Sequence, residues 1–379
     1  MTIALRNGRV LGEEGFREGI AVLVEQGRIS ALVADDDPRV AAATTVDLQG
    51  HTLLPGFIDA QVNGGGGHLF NNTPDVETLR QICRAHRRFG TTGCLPTLIS
   101  DDAAVMARAI AATAEAIALG VPGVLGIHLE GPYIAPARKG THDASKFRVP
   151  DAAEVAMAAS LRNGVTLLTL APEQVPAATI QALVQAGVIV AAGHTAGSYE
   201  QIRAGLAAGV SGFTHLYNAM SPLQGREPGA VGAALEDADS WCGIIVDGVH
   251  VHPASLRVAL AAKPRGKLFL VTDAMPPVGA QDPSYSLYGE IITAVDGVVR
   301  NAAGALAGSA LDMATAVRNT VRLLGVDLAE AARMASTYPA QFLGLGERYG
   351  RIAPGFQADL VLLDDDLQVV ATWIAGSAD

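Results

Sequence analysis

The stretch Gly126-Ile127-His128-Leu129-Glu130-Gly131-Pro132 is typical of a short buried strand that ends on a carboxylate. It belongs to the third of eight apolar runs of strand length that alternate with helical stretches from residue 53 onward. The eight runs are Leu53–Ala60, Gly93–Leu98, Gly123–Leu129, Thr166–Leu170, Val188–Ala191, Gly212–Thr214, Cys242–Val246 and Lys267–Val271. The helical stretches are Val76–Phe89, Ala103–Leu119, Asp151–Arg162, Thr179–Ala186, Tyr199–Ala208, Pro253–Ala262 and Met313–Leu324. Eight strand–helix repeats predict an α/β fold of the TIM-like (β/α)8 type, a parallel barrel surrounded by helices.

The two ends of the chain have a different pattern, in which short strands are separated by turns and helical periodicity is missing. The strand candidates there are Ile20–Val24, Ile29–Val33, Ala358–Leu363 and Val369–Ile374. Because both ends are of one type, we expect them to form one small β-sandwich domain. This interpretation assigns residues 1–54 and 344–379 to the β domain and residues 55–343 to a catalytic barrel inserted between them.

Composition and charge exclude several classes of protein. Of the 379 residues, 49% are apolar and 17% are charged, so the chain can bury a large core. Its 27 basic and 38 acidic residues give a net charge of −11, which argues against a nucleic-acid partner but does not exclude one small anionic substrate. No apolar run is long enough to span a membrane, and the N-terminus lacks the pattern of a signal peptide. We therefore expect a cytoplasmic protein without a membrane partner.

Ionisable residues follow four of the predicted strands. Glu130 follows the third strand, His194 the fifth, His215 the sixth and Asp273 the eighth. Taken singly, each histidine has an ordinary alternative as a packed residue, and Asp273 has one as a helix cap. The carboxyl ends of barrel strands meet at one rim, however, so the four side chains should lie close together.

A carboxylate and two imidazoles make a three-ligand catalytic metal site that leaves a position open for water. We therefore predict one divalent cation per subunit, bound by Glu130, His194 and His215, with Asp273 as the general base. The ligand set suits zinc first, and iron(II), cobalt or manganese as well. Such a site can hydrolyse an amide or a related bond, but it does not select the substrate.

Other motifs resemble the amidohydrolase superfamily. Pro55-Gly56-Phe57-Ile58-Asp59, followed by Gln61-Val62-Asn63-Gly64, is similar to its first barrel strand, and residues 350–361 are similar to its return to the β domain. Within that superfamily, an ordered set of motifs resembles the N-acetylglucosamine-6-phosphate deacetylase family. The motifs are His128-Leu129-Glu130-Gly131-Pro132-Tyr133, Gly193-His194-Thr195, Thr214-His215-Leu216-Tyr217-Asn218-Ala219-Met220, Asp247-Gly248-Val249-His250 and Leu306-Ala307-Gly308-Ser309-Ala310.

The resemblance implies a metal-dependent hydrolase that converts N-acetyl-D-glucosamine 6-phosphate to D-glucosamine 6-phosphate and acetate. It gives Asp273 the role of catalytic base and acid, and His142 that of polarising the acetamido carbonyl. It implies that the sugar and its phosphate are contacted by Thr141, Asn218, Ala219, Arg226, Asp247, His250, Leu306, Ala307 and Gly308. In the family, phosphate ligands can come from a neighbouring subunit, so a homodimer with shared phosphate sites is also implied.

Two of these assignments have plain alternatives. His142 could be an exposed loop histidine, and Arg226 could be a surface arginine paired with Glu227. Two other motifs are weaker candidates for chemistry. Residues 64–67 are four glycines without the ending of a phosphate-binding P-loop, and His250-Val251-His252 has the spacing of a metal pair on a strand.

The chain departs from the wider superfamily at the end of the first strand. Many relatives have His-x-His there, which helps to bind a second metal, whereas this chain has Gln61 and Asn63. Neutral amides are poor ligands for zinc or iron. The segment Leu168-Thr169-Leu170-Ala171-Pro172-Glu173 also offers no lysine that could bridge two metals. We therefore expect a vacant second position and a single catalytic metal.

Three alternatives for function stay open at this point. The first is a sister specificity for N-acetylgalactosamine 6-phosphate, which differs from the glucosamine substrate at one hydroxyl. The second is hydrolysis of another, cyclic amide. The third is a non-catalytic protein that binds a sugar phosphate, and the presence of all four rim residues argues against it.

Overall fold

The centre of the molecule is an eight-stranded parallel sheet, seen in a computed structural model that describes residues 2–378. Its strands are Phe57–Val62, Thr91–Ile99, Gly126–Glu130, Val165–Leu170, Ile189–Ala192, Gly212–Phe213, Trp241–Ile244 and Leu268–Leu270. Each strand pairs with the next one in the chain. Beyond the last strand, the Asp273 N–H donates to the Gln61 carbonyl at 3.0 Å, and Val62 bridges Ala274. These contacts join the eighth strand to the first, so the predicted TIM-like barrel is confirmed.

Helices surround the barrel, and several begin at a residue that caps them. Asp75 accepts the Thr78 N–H, Asp312 accepts the Thr315 N–H, and Ser198 forms a reciprocal capping box with Gln201. The helices are Val76–Arg87, Ala103–Ala118, Ala152–Ala158, Ala177–Gln185, Tyr199–Ala207, Gly229–Glu236, Pro253–Ala262, Met313–Leu324, Leu328–Ala335 and Thr337–Phe342. Within residues 2–378, every helix is too short or too polar to cross a membrane.

The first predicted strand, Leu53–Ala60, is two strands that belong to different sheets. Thr52–Pro55 pairs with Leu360–Leu363, and the barrel strand begins only at Phe57. The break falls at Gly56, where a Cβ atom would lie 2.2 Å from Thr92 Oγ1. Close approach of the second barrel strand therefore demands a glycine, and the chain turns from one sheet into the other there.

Both ends of the chain form two further sheets that pack face to face. A four-stranded sheet has the order Arg28–Ala34, Ile20–Glu25, Thr2–Arg6, Thr44–Asp47, and a six-stranded sheet has the order Ser377–Ala378, Val369–Ile374, Leu360–Leu363, Thr52–Pro55, Arg9–Leu11, Phe16–Arg17. Buried side chains such as Leu5, Val22 and Ile29 from the first sheet meet Leu53 and Trp373 from the second. The predicted β-sandwich built from both termini is confirmed, while its division from the barrel at residues 54 and 344 stays a prediction.

Two small elements follow barrel strands at the carboxyl rim. A hairpin pairs Gly64–Gly65 with His68–Leu69 after the first strand. After the eighth strand comes a three-stranded meander of Ser284–Leu287, Glu290–Val295 and Val298–Val299, here called the flap sheet. The flap sheet packs through Tyr285 and Leu287 onto Ile99 and Met275, so it lies beside the ends of the second and eighth barrel strands. Three shorter helices, Pro38–Ala41, Pro136–Arg138 and Ala144–Lys146, complete the fold.

Candidate active site

Three side chains from different barrel strands converge at the carboxyl rim. Glu130 Oε1 lies 3.2 Å from His194 Nε2 and 3.0 Å from His215 Nε2. The two Nε2 atoms are themselves 3.1 Å apart. All three residues are buried. The structure therefore brings the predicted metal ligands together around one point.

The hydrogen bonding of His194 shows that this group fits a cation. Nδ1 of His194 lies 2.8 Å from the carbonyl oxygen of Arg138, which can only accept, so Nδ1 carries the proton. In the neutral ring, Nε2 then has a free lone pair, and that lone pair faces Glu130 and His215. A cation placed among these atoms would be held by this lone pair together with Glu130 and His215. A backbone carbonyl that accepts the proton of the other ring nitrogen is typical of metal-bound histidine.

The charge of Glu130 supports the same interpretation. Burial alone would raise the pKa of this carboxyl group, but the adjacent imidazoles of His194 and His215 lower the pKa well below its ordinary value. Glu130 is therefore an anion at neutral pH, as a metal ligand must be.

Three of the four rim residues have strained backbones. The φ angles of His194, His215 and Asp273 are 47°, 33° and 53°, in the left-handed region that favours glycine. Such conformations cost on the order of 1–3 kcal/mol each and are concentrated at functional sites. In this barrel, each strained residue stands at the point where a strand ends.

The side-chain amides of Asn63 and Gln61 hold Asp273 close to the predicted metal ligands. Asn63 Nδ2 donates to Asp273 Oδ1 at 2.7 Å, and Gln61 Nε2 donates to the same oxygen at 3.1 Å. Gln61 also donates to Glu130 at 3.1 Å. Because their neighbours are carboxylates, both amides present NH₂ groups, which cannot bind a metal. Gln61 and Asn63 therefore orient the acid residues.

The pKa of Asp273 is raised to about 6, first by burial and then by the negative charge of Glu130. A carboxylate with a pKa close to neutrality can both accept and return a proton under physiological conditions. The geometry is therefore compatible with the predicted role of this residue as base and acid.

His142 is buried in the same site, so the alternative of an exposed loop histidine is wrong. Its Nδ1 lies 2.7 Å from Ser100 Oγ and accepts the Ser100 N–H at 3.3 Å. Its Nε2 lies 3.9 Å from Glu130 Oε2. Burial, followed by the nearby His194, lowers the pKa of His142 to about 3, so the ring is neutral.

A cavity of about 290 Å³ opens over these residues. Its walls include most of the predicted sugar and phosphate contacts, which lie on loops after the third, sixth, seventh and eighth strands. Predicted site residues in the wall are Asn63, Glu130, Thr141, His142, His194, His215, Asn218, Ala219, His250, Asp273, Leu306 and Gly308. The structure thus places the predicted metal ligands and most of the predicted sugar and phosphate contacts in one cavity.

Four predicted residues do not line this cavity in their own subunit. Gln61 lies beneath the site. Asp247 lies behind His250, with its Oδ2 2.6 Å from His250 Nδ1. Ala307 is buried in the apolar cluster under the flap sheet. Arg226 is exposed on its loop.

The alternative in which Arg226 pairs with Glu227 is wrong, because the two side chains form no ion pair within residues 2–378. Glu227 Oε1 instead accepts the N–H groups of Tyr199 and Gly229. Arg226 is therefore not tied back to its own loop by this carboxylate.

The two weaker motifs have structural roles. His252 caps the helix that starts at Pro253, and its Nδ1 accepts the Ala254 N–H at 3.1 Å. Gly64 pairs in the hairpin after the first strand, and its carbonyl lies 2.9 Å from His86 Nε2. Neither motif forms a metal pair or a phosphate-binding loop.

Sequence reasoning missed several residues around the site. Arg138 lines the cavity, and its carbonyl fixes His194. Ser100 holds His142, as described above. His128 lies below Glu130, between hydroxyl groups of Thr97 and Thr169 at 3.2 and 2.7 Å. Only His128 had a signal in the sequence, because strand alternation puts it on the same face as Glu130.

Comparisons with known proteins agree with this geometry. The sequence model of the Amidohydrolase family matches residues 52–378. The chain belongs to the amidohydrolase family. As an amidohydrolase the protein is an enzyme, and the family is typically metal-dependent, which agrees with the grouping of Glu130, His194 and His215.

This amidohydrolase is similar to amino-sugar-phosphate deacetylases over its whole length. An N-acetylgalactosamine-6-phosphate deacetylase of Shewanella sp. (strain ANA-3) is 45% identical over 97% of this chain and 93% of its own. One from Escherichia coli O157:H7 is 39% identical over 99% of each chain. The crystal structure of N-acetylglucosamine-6-phosphate deacetylase from Pasteurella multocida is 34% identical, with a TM-score of 0.96 and complete coverage of both chains.

Proposed function

We propose that this amidohydrolase removes the acetyl group from an N-acetylhexosamine 6-phosphate, using one divalent cation per subunit. The observation that carries the proposal is the meeting of Glu130, His194 and His215 beside Asp273 and His142 in one cavity. The alternative of a non-catalytic binding protein would not need this set. The similarity to deacetylases over nearly the full chain supports the same class of substrate.

The metal ligands, Asp273 and His142 each have a separate role in the proposed hydrolysis. Glu130, His194 and His215 would hold a divalent cation, which when bound would lower the pKa of a water towards about 7 and would polarise the scissile carbonyl. Asp273 accepts a proton from the attacking water and passes it to the amine nitrogen as the C–N bond breaks. His142 donates its Nε2–H to the acetamido oxygen, where negative charge develops. The products are acetate and the amino sugar phosphate.

The phosphate would bind to residues of the cavity wall other than the metal ligands. Asn218, Ala219 and His250 line the cavity, and the His250 ring is held by Asp247. Arg226 is exposed and does not line the cavity of its own subunit, so we propose that it completes the phosphate site of a partner subunit in a homodimer. Thr141, Leu306 and Gly308 would contact the sugar ring, while Ala307 supports the wall from behind.

The preferred substrate is either the galactosamine or the glucosamine form of the N-acetylhexosamine 6-phosphate. The relatives named for the galactosamine substrate are 45% and 39% identical, against 34% for the structure named for the glucosamine substrate. This order favours N-acetylgalactosamine 6-phosphate as the preferred substrate, whereas the motifs alone favoured the glucosamine epimer. N-acetylglucosamine 6-phosphate is the second candidate, because the two differ at one hydroxyl. We further propose that the reaction takes place in the cytoplasm.

The test is acetate release from both phosphosugars in parallel, with stripped protein refilled with zinc, iron(II), cobalt or manganese. We expect the galacto epimer to have the higher kcat/KM, and the unphosphorylated sugar to react poorly. A higher kcat/KM for the gluco epimer would reverse the assignment of the sugar. Absence of acetate from both phosphosugars with all four metals would contradict the proposed function.

A further inference from the structure

The position of one proton on His142 is set by Ser100. A backbone N–H can only donate, so the N–H of Ser100, 3.3 Å from His142 Nδ1, requires a lone pair on that nitrogen. The ring proton must then be on Nε2, the nitrogen that faces Glu130 and the cavity. Ser100 therefore makes His142 a donor towards the substrate.

Ser100 is in turn held by a residue far along the chain. The hydroxyl of Tyr288, in the flap sheet, donates to the carbonyl of Ser100 at 2.6 Å. One hydroxyl group thus ties the flap sheet to the residue that holds the His142 ring.

The backbone at Tyr288 is in a conformation that is unfavourable for tyrosine. Leu287 pairs with Glu290, so Tyr288 and Gly289 form a two-residue hairpin turn, with φ angles of 50° and 84°. Turns of this type favour asparagine, aspartate or glycine, and a bulky residue is unusual there. Tyrosine offers the turn no advantage. Its ring is partly exposed, and its hydroxyl reaches inwards to the Ser100 carbonyl, a contact that asparagine, aspartate or glycine could not make.

We propose that Tyr288 is a positioning residue for catalysis, acting through Ser100 to hold His142 with its Nε2–H aimed into the cavity. The inference rests on the proposed function of His142 as the donor to the acetamido oxygen. It adds the flap sheet to the site, as a support for the ring rather than as a contact for the substrate.

The kinetic test is Tyr288→Phe in the metal-loaded enzyme. We expect kcat to fall about tenfold, the loss of one well-placed hydrogen bond, while KM stays within about twofold and metal content is unchanged. Ser284→Ala is the matched control, because it removes a 2.9 Å hydroxyl contact with Thr293 from the same sheet without touching His142. An unchanged kcat in Tyr288→Phe, or an equal loss in the control, would overturn the proposal.

A double-mutant cycle separates positioning from general stability. His142→Gln keeps an N–H donor near the cavity but removes the imidazole that Ser100 holds. If Tyr288 acts through His142, Tyr288→Phe should cause no further loss in this background. A loss of the same factor in both backgrounds would show that Tyr288 acts by another route.

A spectroscopic measurement tests the inference without any turnover. Nitrogen NMR of the zinc-loaded protein, with the ring of His142 identified by its loss in His142→Gln, reports which nitrogen carries the proton. We expect the Nε2–H form in the wild type and a mixture of the two forms in Tyr288→Phe. This result would support the positioning role even if neither phosphosugar were a substrate, whereas identical spectra would overturn it.

Discussion

The Nε2 atoms of His194 and His215 lie 3.1 Å apart, and the first of them has no proton to share in its neutral form because Nδ1 donates to Arg138. Together with the carboxylate of Glu130, these two ring nitrogens form a buried group that can hold a cation. The relationship explains why strained backbones at the ends of two strands are tolerated.

The first prediction concerns metal removal. Stripped protein should lose deacetylase turnover by orders of magnitude and unfold at a lower temperature. Metal at 100 times its Kd should restore about 2.7 kcal/mol of stability. Metal analysis and thermal unfolding measure both effects. His194→Gln should lose the metal response, while His51→Gln, in the β domain, should keep it; a full response in His194→Gln would refute the ligand assignment.

The second prediction concerns the proton carrier. Asp273→Asn cannot accept a proton from water, so kcat should fall by about 10²–10⁴. The metal ligands are untouched, so metal content should stay at one per chain. Acetate release and metal analysis on the same sample measure the two quantities. Turnover close to that of the wild type would remove Asp273 from the reaction.

The third prediction concerns pH. The hydrogen bond from Asn63 favours the ionised form of Asp273 and so opposes the burial that raises its pKa to about 6. Asn63→Ala should raise that pKa further. Because the ionised carboxylate is the active form, the acid limb of the kcat profile should move to higher pH.

Asn163→Ala is the control for this shift. Asn163 donates to the Ala114 carbonyl on an exposed surface, away from the cavity. The acid limb of the kcat profile of Asn163→Ala should coincide with that of the wild type. An unmoved limb in Asn63→Ala would show that Asp273 is not the group that titrates.

The fourth prediction tests the shared phosphate site. Arg226→Ala and Asp273→Asn should each be nearly inactive towards the phosphosugar when assayed alone. If Arg226 serves the partner's cavity, mixed dimers contain one intact site, and an equal mixture should recover about a quarter of wild-type activity. Subunit exchange followed by an acetate assay measures this. No recovery, in a mixture shown to contain mixed dimers, would place Arg226 and Asp273 in one subunit's site.

Much of the site could be predicted because the barrel makes strand ends meet. His194 and His215 each follow a short apolar run, and the parallel arrangement of the strands brings them to one rim without any further information. Glu130 and Asp273 were found in the same way. The identity of the ligands followed from their chemistry.

The parts that could not be predicted depend on packing and on contacts far apart in the chain. The helix Gly229–Glu236 is buried on nearly all sides, so its sequence has no polar face to reveal its period. The split at Gly56 is set by the approach of Thr92 from another strand. Tyr288 and Ser100 are 188 positions apart, and no local pattern links them.

The most direct test of the account is acetate release from N-acetylgalactosamine 6-phosphate by stripped enzyme, titrated with zinc. The arrangement of Glu130, His194 and His215, with donating amides in place of further ligands, predicts activity that rises linearly and saturates at one metal per chain. Full activity without metal, or saturation only at two metals per chain, would contradict it.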